Sequence, residues 1–192
     1  MLNTSSGTIF GMMLDGIRKF RHYVQEERPA YFKELAKRQD PCIIFITCAD
    51  SRVSPERILN VDLGNVFIIR SAGNIVTPHD APVSGETASI EYAIRTFDIS
   101  HIVVCGHSDC GAVEAMFNIH ALDNLPLMQK WLEQYAPPLK SHLAQRSDDC
   151  LKAGIEENVL YQIENLRTFP TIQKRIQEGK TQLHAWVYDI AS

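Results

Sequence analysis

Three short runs of apolar, mostly β-branched residues mark the first half of the chain. They are Cys42-Ile43-Ile44-Phe45-Ile46-Thr47, Asn65-Val66-Phe67-Ile68-Ile69-Arg70 and Ile99-Ser100-His101-Ile102-Val103-Val104-Cys105. Near-continuous apolar character is what a strand buried on both faces requires. Segments 54–59 and 85–97, between these runs, read as helices. Upstream, Leu14, Ile17, Phe20 and Val24 recur at helical spacing and predict a helix over 13–26, with a second over 30–37. Downstream the pattern returns to helices over 127–135, 155–168 and, after Pro170, 172–178. The segment 182–188 alternates like a strand with one wet face. Strands alternating with helices imply an α/β fold, a mostly parallel sheet flanked by helices with right-handed crossovers and preceded by an N-terminal helical arm. If the second strand adds outside the first and the third crosses to its other side, the C-terminal ends of the first and third bracket a switch point. That is where open α/β sheets hold their ligands.

At 192 residues the chain reads as one domain over 1–192, long enough for a sizeable core. A net charge of −4 shows no basic surplus, which argues against nucleic acid as the partner. No apolar run approaches the roughly 18 residues of a membrane span, and the N-terminus does not read as a leader. Five cysteines at irregular spacing do not form a disulfide framework, so a reducing, cytoplasmic setting is expected.

Chemistry concentrates directly after two of the apolar runs, in Cys48-Ala49-Asp50-Ser51-Arg52 and His107-Ser108-Asp109-Cys110-Gly111. Two thiolates and one imidazole form a soft ligand set that suits zinc, and three protein ligands leave a fourth tetrahedral position open, as in catalytic sites. Cys110 reads as the start of a helix, whose dipole is expected to lower its pKa. Arg52 can hold Asp50 bidentately and keep it ionised, so that Asp50 accepts a hydrogen bond from zinc-bound hydroxide. The same carboxylate could instead become a fourth zinc ligand and close the site. Each segment alone has a plainer reading: an Asp-Ser pair after a strand is often a helix cap, and a buried histidine and cysteine often only pack. Cys42 and Cys105 read as buried core thiols and Cys150 as exposed. His79 and His101 read as structural, while His22, His120, His142 and His184 read as solvated or locally hydrogen-bonded.

Cys48-x-Asp50-Ser51-Arg52, then Arg70-Ser71-Ala72-Gly73-Asn74, then Cys105-Gly106-His107-Ser108-Asp109-Cys110-Gly111 together resemble the β-class carbonic anhydrases of the bacterial and cyanobacterial type. The resemblance runs from about Leu14 to Asp189. It implies zinc on Cys48, His107 and Cys110, an Asp50–Arg52 catalytic dyad, and reversible hydration of carbon dioxide to bicarbonate by zinc-bound hydroxide. It also implies Gln39, Phe67, Ala72 and Tyr92 in the substrate pocket, with Gly111 offering a backbone N–H. Part of that pocket comes from a second subunit, so a homodimer or higher homo-oligomer is expected, in the cytoplasm or a carboxysome. Without the resemblance, Phe67 and Tyr92 read as core. Some relatives carry an inhibitory bicarbonate site on a Trp, a Gly and a Tyr; Phe45 and Thr47 replace the first two here, leaving Tyr188. Relatives also continue beyond Ser192 with a further strand. Two rival readings remain open: a carbon disulfide or carbonyl sulfide hydrolase on the same scaffold, and a noncatalytic zinc-binding assembly protein.

Overall fold

The computed structural model describes residues 6–136 and 148–192; His142 lies outside them. The chain divides into two compact units, 1–39 and 40–192. In the first, α1 (Ser6–His22) passes through a π-helical turn, Tyr23–Glu27, into α2 (Pro29–Leu35). Helix α1 begins at Ser6 rather than at residue 13, because the apolar run 9–14 sustains the helix that Gly7, Gly11 and Gly16 interrupt in the pattern. The bend between the helices is held by Phe32, packed edge-on against both Phe20 and Tyr23 with centroids 5.8 Å apart.

The second unit is built on four parallel strands: β1 (Ile43–Cys48), β2 (Val66–Ser71), β3 (His101–His107) and β4 (Gln182–Tyr188), in the order β2-β1-β3-β4. This is the order that the sequence required for a switch point between β1 and β3. The interleaved helices are α3 (Pro55–Leu59), α4 (Gly85–Thr96), α5 (Gly111–Met116), α6 (Pro126–Tyr135), α7 (Asp148–Arg167) and α8 (Pro170–Gln177). Helix α8 includes Pro170, whose fixed φ and missing N–H suit the first helical position.

Strand alternation divides the core into two faces. Ile44, Ile46, Ile102 and Val104 pack with Ile90 and Ile94 of α4, Val159 and Leu166 of α7, and Ile172 of α8. Phe45, Val103 and Cys105 face the other way, against Leu59, Ile68 and Tyr188. Truncating a buried residue such as Phe45 to Ala typically costs about 3–5 kcal/mol. Helix α7 lies so close over β3 that only glycine fits at 106, where a Cβ would fall 2.7 Å from a Val159 methyl.

Three expectations about side chains fail. Cys42 is exposed rather than core. Its carbonyl takes bonds from the Ser100 and His101 N–H groups and its own N–H reaches Asn65, so its backbone is paired just before β1 while its sulfur turns outward. In β4 the alternation breaks at Trp186 and Val187, both more than 40% exposed, because β4 has a strand on one side only among the described residues. Cys150, expected to be exposed, is instead half-buried.

Candidate metal centre

Register aligns Thr47 with Cys105 and Cys48 with Ser71, which brings the C-terminal ends of β1 and β3 side by side. Cys48 ends β1 and His107 ends β3; from there Ser108 and Asp109 turn the chain to Cys110, which caps α5. Asp109 makes that turn at φ 54°, a left-handed conformation that aspartate tolerates better than most residues. The ligating atoms of Cys48, His107 and Cys110 all lie within 4.8 Å of one another, and all three residues are buried. These are the three residues that the sequence singled out as zinc ligands.

His107 is fully buried. Its Nδ1 lies 2.8 Å from the Ser108 carbonyl, which can only accept, so the ring proton sits on Nδ1. The lone pair of Nε2 then points into the cluster, and Nε2 has no hydrogen-bond partner. A buried imidazole nitrogen without a partner is costly, and a bound cation removes that cost. The two sulfurs are 3.9 Å apart. Hydrogen bonding from Cys110 moves Cys48 down to about 4 despite burial, helped by His107 and the Gly73 N–H. Cys110 moves the opposite way, raised by Cys48 and by burial. The dipole expectation for Cys110 therefore fails in the metal-free pair: the N–H groups of Val113 and Ala112 act in the expected direction but are outweighed. Two close sulfurs keep one proton between them, and a dication is what lets both become thiolates.

Asp50 and Arg52 stand beside this cluster. Arg52 grips the carboxylate with two parallel bonds, Nε to Oδ1 at 3.0 Å and Nη2 to Oδ2 at 2.8 Å, and its backbone N–H adds a third to Oδ1 at 2.9 Å. The guanidinium holds the Asp50 carboxyl well below the usual carboxylate range. Asp50 Oδ2 is 3.9 Å from His107 Nε2. Arg52 Nη2 also donates to the Asp109 carbonyl at 2.9 Å, tying the loop after β1 to the loop after β3.

Several supporting residues carry no sequence signal of what their side chains hold. Arg70 donates to the carbonyls of Cys48, Asp50 and Val53, and so sets the path of the loop that carries the dyad. Ser71 donates to the Ile75 carbonyl, and Trp131 to that of Ala72. Arg70 and Ser71 sit inside a motif already quoted, but nothing in that string states where their side chains go.

The pocket residues divide. Ala72 follows β2 directly and Gly111 opens α5, both on segments adjoining the ligands. Gln39 closes the first unit. Phe67 pairs with Ile44, four residues before Cys48, or about 13 Å down the strand. There it packs with Tyr92 and Phe97, at centroid separations of 6.3 and 6.1 Å. Phe45 and Thr47 are fully buried, the first against Trp186 and the second donating to the Cys105 carbonyl.

Residues 43–192 match the family model described as carbonic anhydrase. A carbonic anhydrase of Pseudomonas aeruginosa is 41% identical over 183 residues, covering 94% of this chain and 83% of the relative. One from Synechococcus elongatus is 40% identical over 185 residues, covering 94% and 68%. Among solved structures, the β-carbonic anhydrase CcaA superposes with a TM-score of 0.89 at 36% identity, covering 95% of this chain and 91% of that one. A Coccomyxa β-carbonic anhydrase in complex with acetazolamide gives 0.78 at 30% identity, covering 94% and 82%. With the parallel sheet and the Cys-His-Cys cluster at its C-terminal rim, these matches make the chain a member of the β-class carbonic anhydrases and an enzyme of that family.

Proposed function

We propose that the chain hydrates carbon dioxide reversibly to bicarbonate and a proton, with zinc held by Cys48, His107 and Cys110 and with Asp50 and Arg52 as the catalytic dyad. The donor set supports zinc over harder cations. Two sulfurs bound tetrahedrally at about 2.3 Å stand about 3.8 Å apart, and those of Cys48 and Cys110 are 3.9 Å apart. When bound, zinc supplies a Lewis acid that brings the pKa of water toward neutrality.

The observation that carries the reading is the clamped carboxylate. With both oxygens held by Arg52 and its pKa depressed, Asp50 is a fixed acceptor beside the orphaned His107 nitrogen. It accepts a hydrogen bond from the attacking hydroxyl and so aims that oxygen's lone pair at the carbon of carbon dioxide. Arg52 keeps that acceptor ionised and keeps it off the cation. Releasing the carboxylate is the route by which Asp50 becomes a fourth ligand and closes the site. A protein that used this cation only for assembly would have no need of the clamp.

Ala72 and Gly111 line the substrate side from within the second unit. Phe67 and Tyr92, far down the sheet from Cys48, serve the pocket of a second copy, so the working unit is a homodimer or larger. Structures of tetrameric β-carbonic anhydrases from Sordaria macrospora are 31% identical to this chain. No helix among the described residues is long and apolar enough to cross a membrane, and we place the enzyme in the cytoplasm.

Stopped-flow hydration of carbon dioxide, run beside zinc analysis, tests this. Activity that is lost to a chelator and restored by zinc is expected. Zinc-loaded protein inert to carbon dioxide but active on carbon disulfide or carbonyl sulfide would establish the hydrolase instead. Zinc-loaded protein inert to all three would leave an assembly role.

A further inference from the structure

The loop that follows β2 is held by side chains rather than by strand pairing, and its grip converges on one sulfur. Gly73, at φ 73°, donates its N–H to Cys48 Sγ at 3.4 Å. The other end of that same peptide unit, the Ala72 carbonyl, accepts from Trp131 Nε1 at 3.1 Å. A trans peptide points its oxygen and hydrogen in opposite directions. Trp131, the 72–73 peptide and the sulfur therefore form one continuous line of hydrogen bonds, each polarising the next.

The following peptide is fixed independently from α7. Asn158 Nδ2 donates to the Gly73 carbonyl at 2.9 Å, and Asn158 Oδ1 accepts from Gln162 Nε2 at 2.9 Å. Gln162 Oε1 accepts from the Val76 N–H at 3.0 Å and from Asn165 Nδ2, which also reaches the Val76 carbonyl at 2.8 Å. The spacing 158, 162, 165 sets three amides on one helical face. All three are buried, where an unmatched amide is expensive. Their orientations are not interchangeable, because the Gly73 carbonyl can only accept and the Val76 N–H can only donate.

We infer that Trp131 and Asn158 are positioning residues for the metal centre, aiming the Gly73 N–H at the Cys48 sulfur from opposite ends of the Ala72–Gly73 segment. The inference rests on the zinc reading above. Its effect is on the ligand: an N–H bond to a thiolate withdraws electron density and fixes the direction of its lone pairs, as outer partners of metal ligands do.

The test uses cobalt(II)-substituted protein, whose sulfur-to-metal charge-transfer absorption reports the electron density on the thiolates. Trp131→Phe keeps an aromatic ring and removes the N–H donor together with part of the indole's bulk. Asn158→Leu removes the second hold and carries the test alone if Trp131→Phe does not fold. Each is expected to move the band to longer wavelength and to weaken zinc retention against a chelator by about tenfold. Ile90→Ala, a cavity in the core contributed by α4 rather than by the amide-bearing helix, is expected to lower the melting temperature and leave the band in place. A band and zinc retention unchanged in folded Trp131→Phe or Asn158→Leu would overturn the inference, as would an equal shift in Ile90→Ala. Wild-type protein without any sulfur-to-cobalt band would overturn the metal reading itself, a failure distinct from the first.

Discussion

Cys48 and Cys105 lie on neighbouring strands, one residue out of register, and both are buried. Their thiols nevertheless move in opposite directions, Cys48 down to about 4 and Cys105 up to about 11. Cys105 faces the apolar side of the sheet with Phe45 and Val103, where burial outweighs the one opposing hydrogen bond, from the Tyr188 backbone. Cys48 ends its strand among Cys110, His107 and the Gly73 N–H. Burial therefore does not decide whether a cysteine is chemistry or core; the donors around the sulfur do. The histidines repeat the lesson. His101 and His184, at the far end of the sheet, satisfy each other at 3.0 Å, whereas His107 leaves one nitrogen without a hydrogen-bond partner among the sulfurs.

The largest expected difference follows directly. Cys48→Ser, Cys110→Ser and His107→Ala should each lose zinc and activity together, weakening retention by more than about 100-fold, beyond the usual cost of losing an outer partner. Cys105→Ser should keep both. Metal-to-protein ratios after dialysis separate the two groups, and a Cys105 variant that loses zinc would erase the contrast.

Next in size is Asp50→Asn, which should retain zinc while turnover falls about 100-fold, within the range for loss of a positioned acceptor. Turnover at the wild-type level would remove Asp50 from the dyad.

Gly106→Ala probes the packing that sets His107 in place. With a Cβ only 2.7 Å from Val159, the variant should lose about 1–3 kcal/mol of stability. Thermal unfolding measures this, and an unchanged midpoint would mean that α7 gives way there freely.

The smallest effect lies in the pH dependence of metal-free protein. Cys48 has a folded value below the 9.0 of a free thiol, so its contribution is complete above about pH 9 and fades as pH falls through about 4. Cys105 has a raised value, so its contribution is complete below about pH 9 and is lost as pH rises through about 11. Cys48→Ser should therefore flatten the acid limb of stability and Cys105→Ser the alkaline limb. Melting temperatures across pH decide it, and identical profiles would deny the opposite shifts.

Much of this contrast is legible in the sequence. The apolar runs ending at Thr47 and Cys105 announce buried parallel strands, and ligand-type residues directly after two of them announce a switch-point site. What periodicity cannot show is which way a side chain turns at a strand's rim, hence the error at Cys42. Nor can it show partners made across the fold. Trp131, Asn158, Gln162 and Asn165 look in sequence like ordinary helix residues, and only the path of the loop 71–76 reveals what they hold. The lowered pKa expected of Cys110 fails for a related reason. Its helix start was visible, but the neighbouring sulfur that outweighs the dipole lies 62 residues away in the chain.

Zinc-edge X-ray absorption on the wild-type protein tests the central claim most directly. It should show two sulfurs at about 2.3 Å and one imidazole nitrogen at about 2.0–2.1 Å, with one further light-atom ligand. A zinc without sulfur neighbours, or with only one, would contradict the assignment of Cys48 and Cys110.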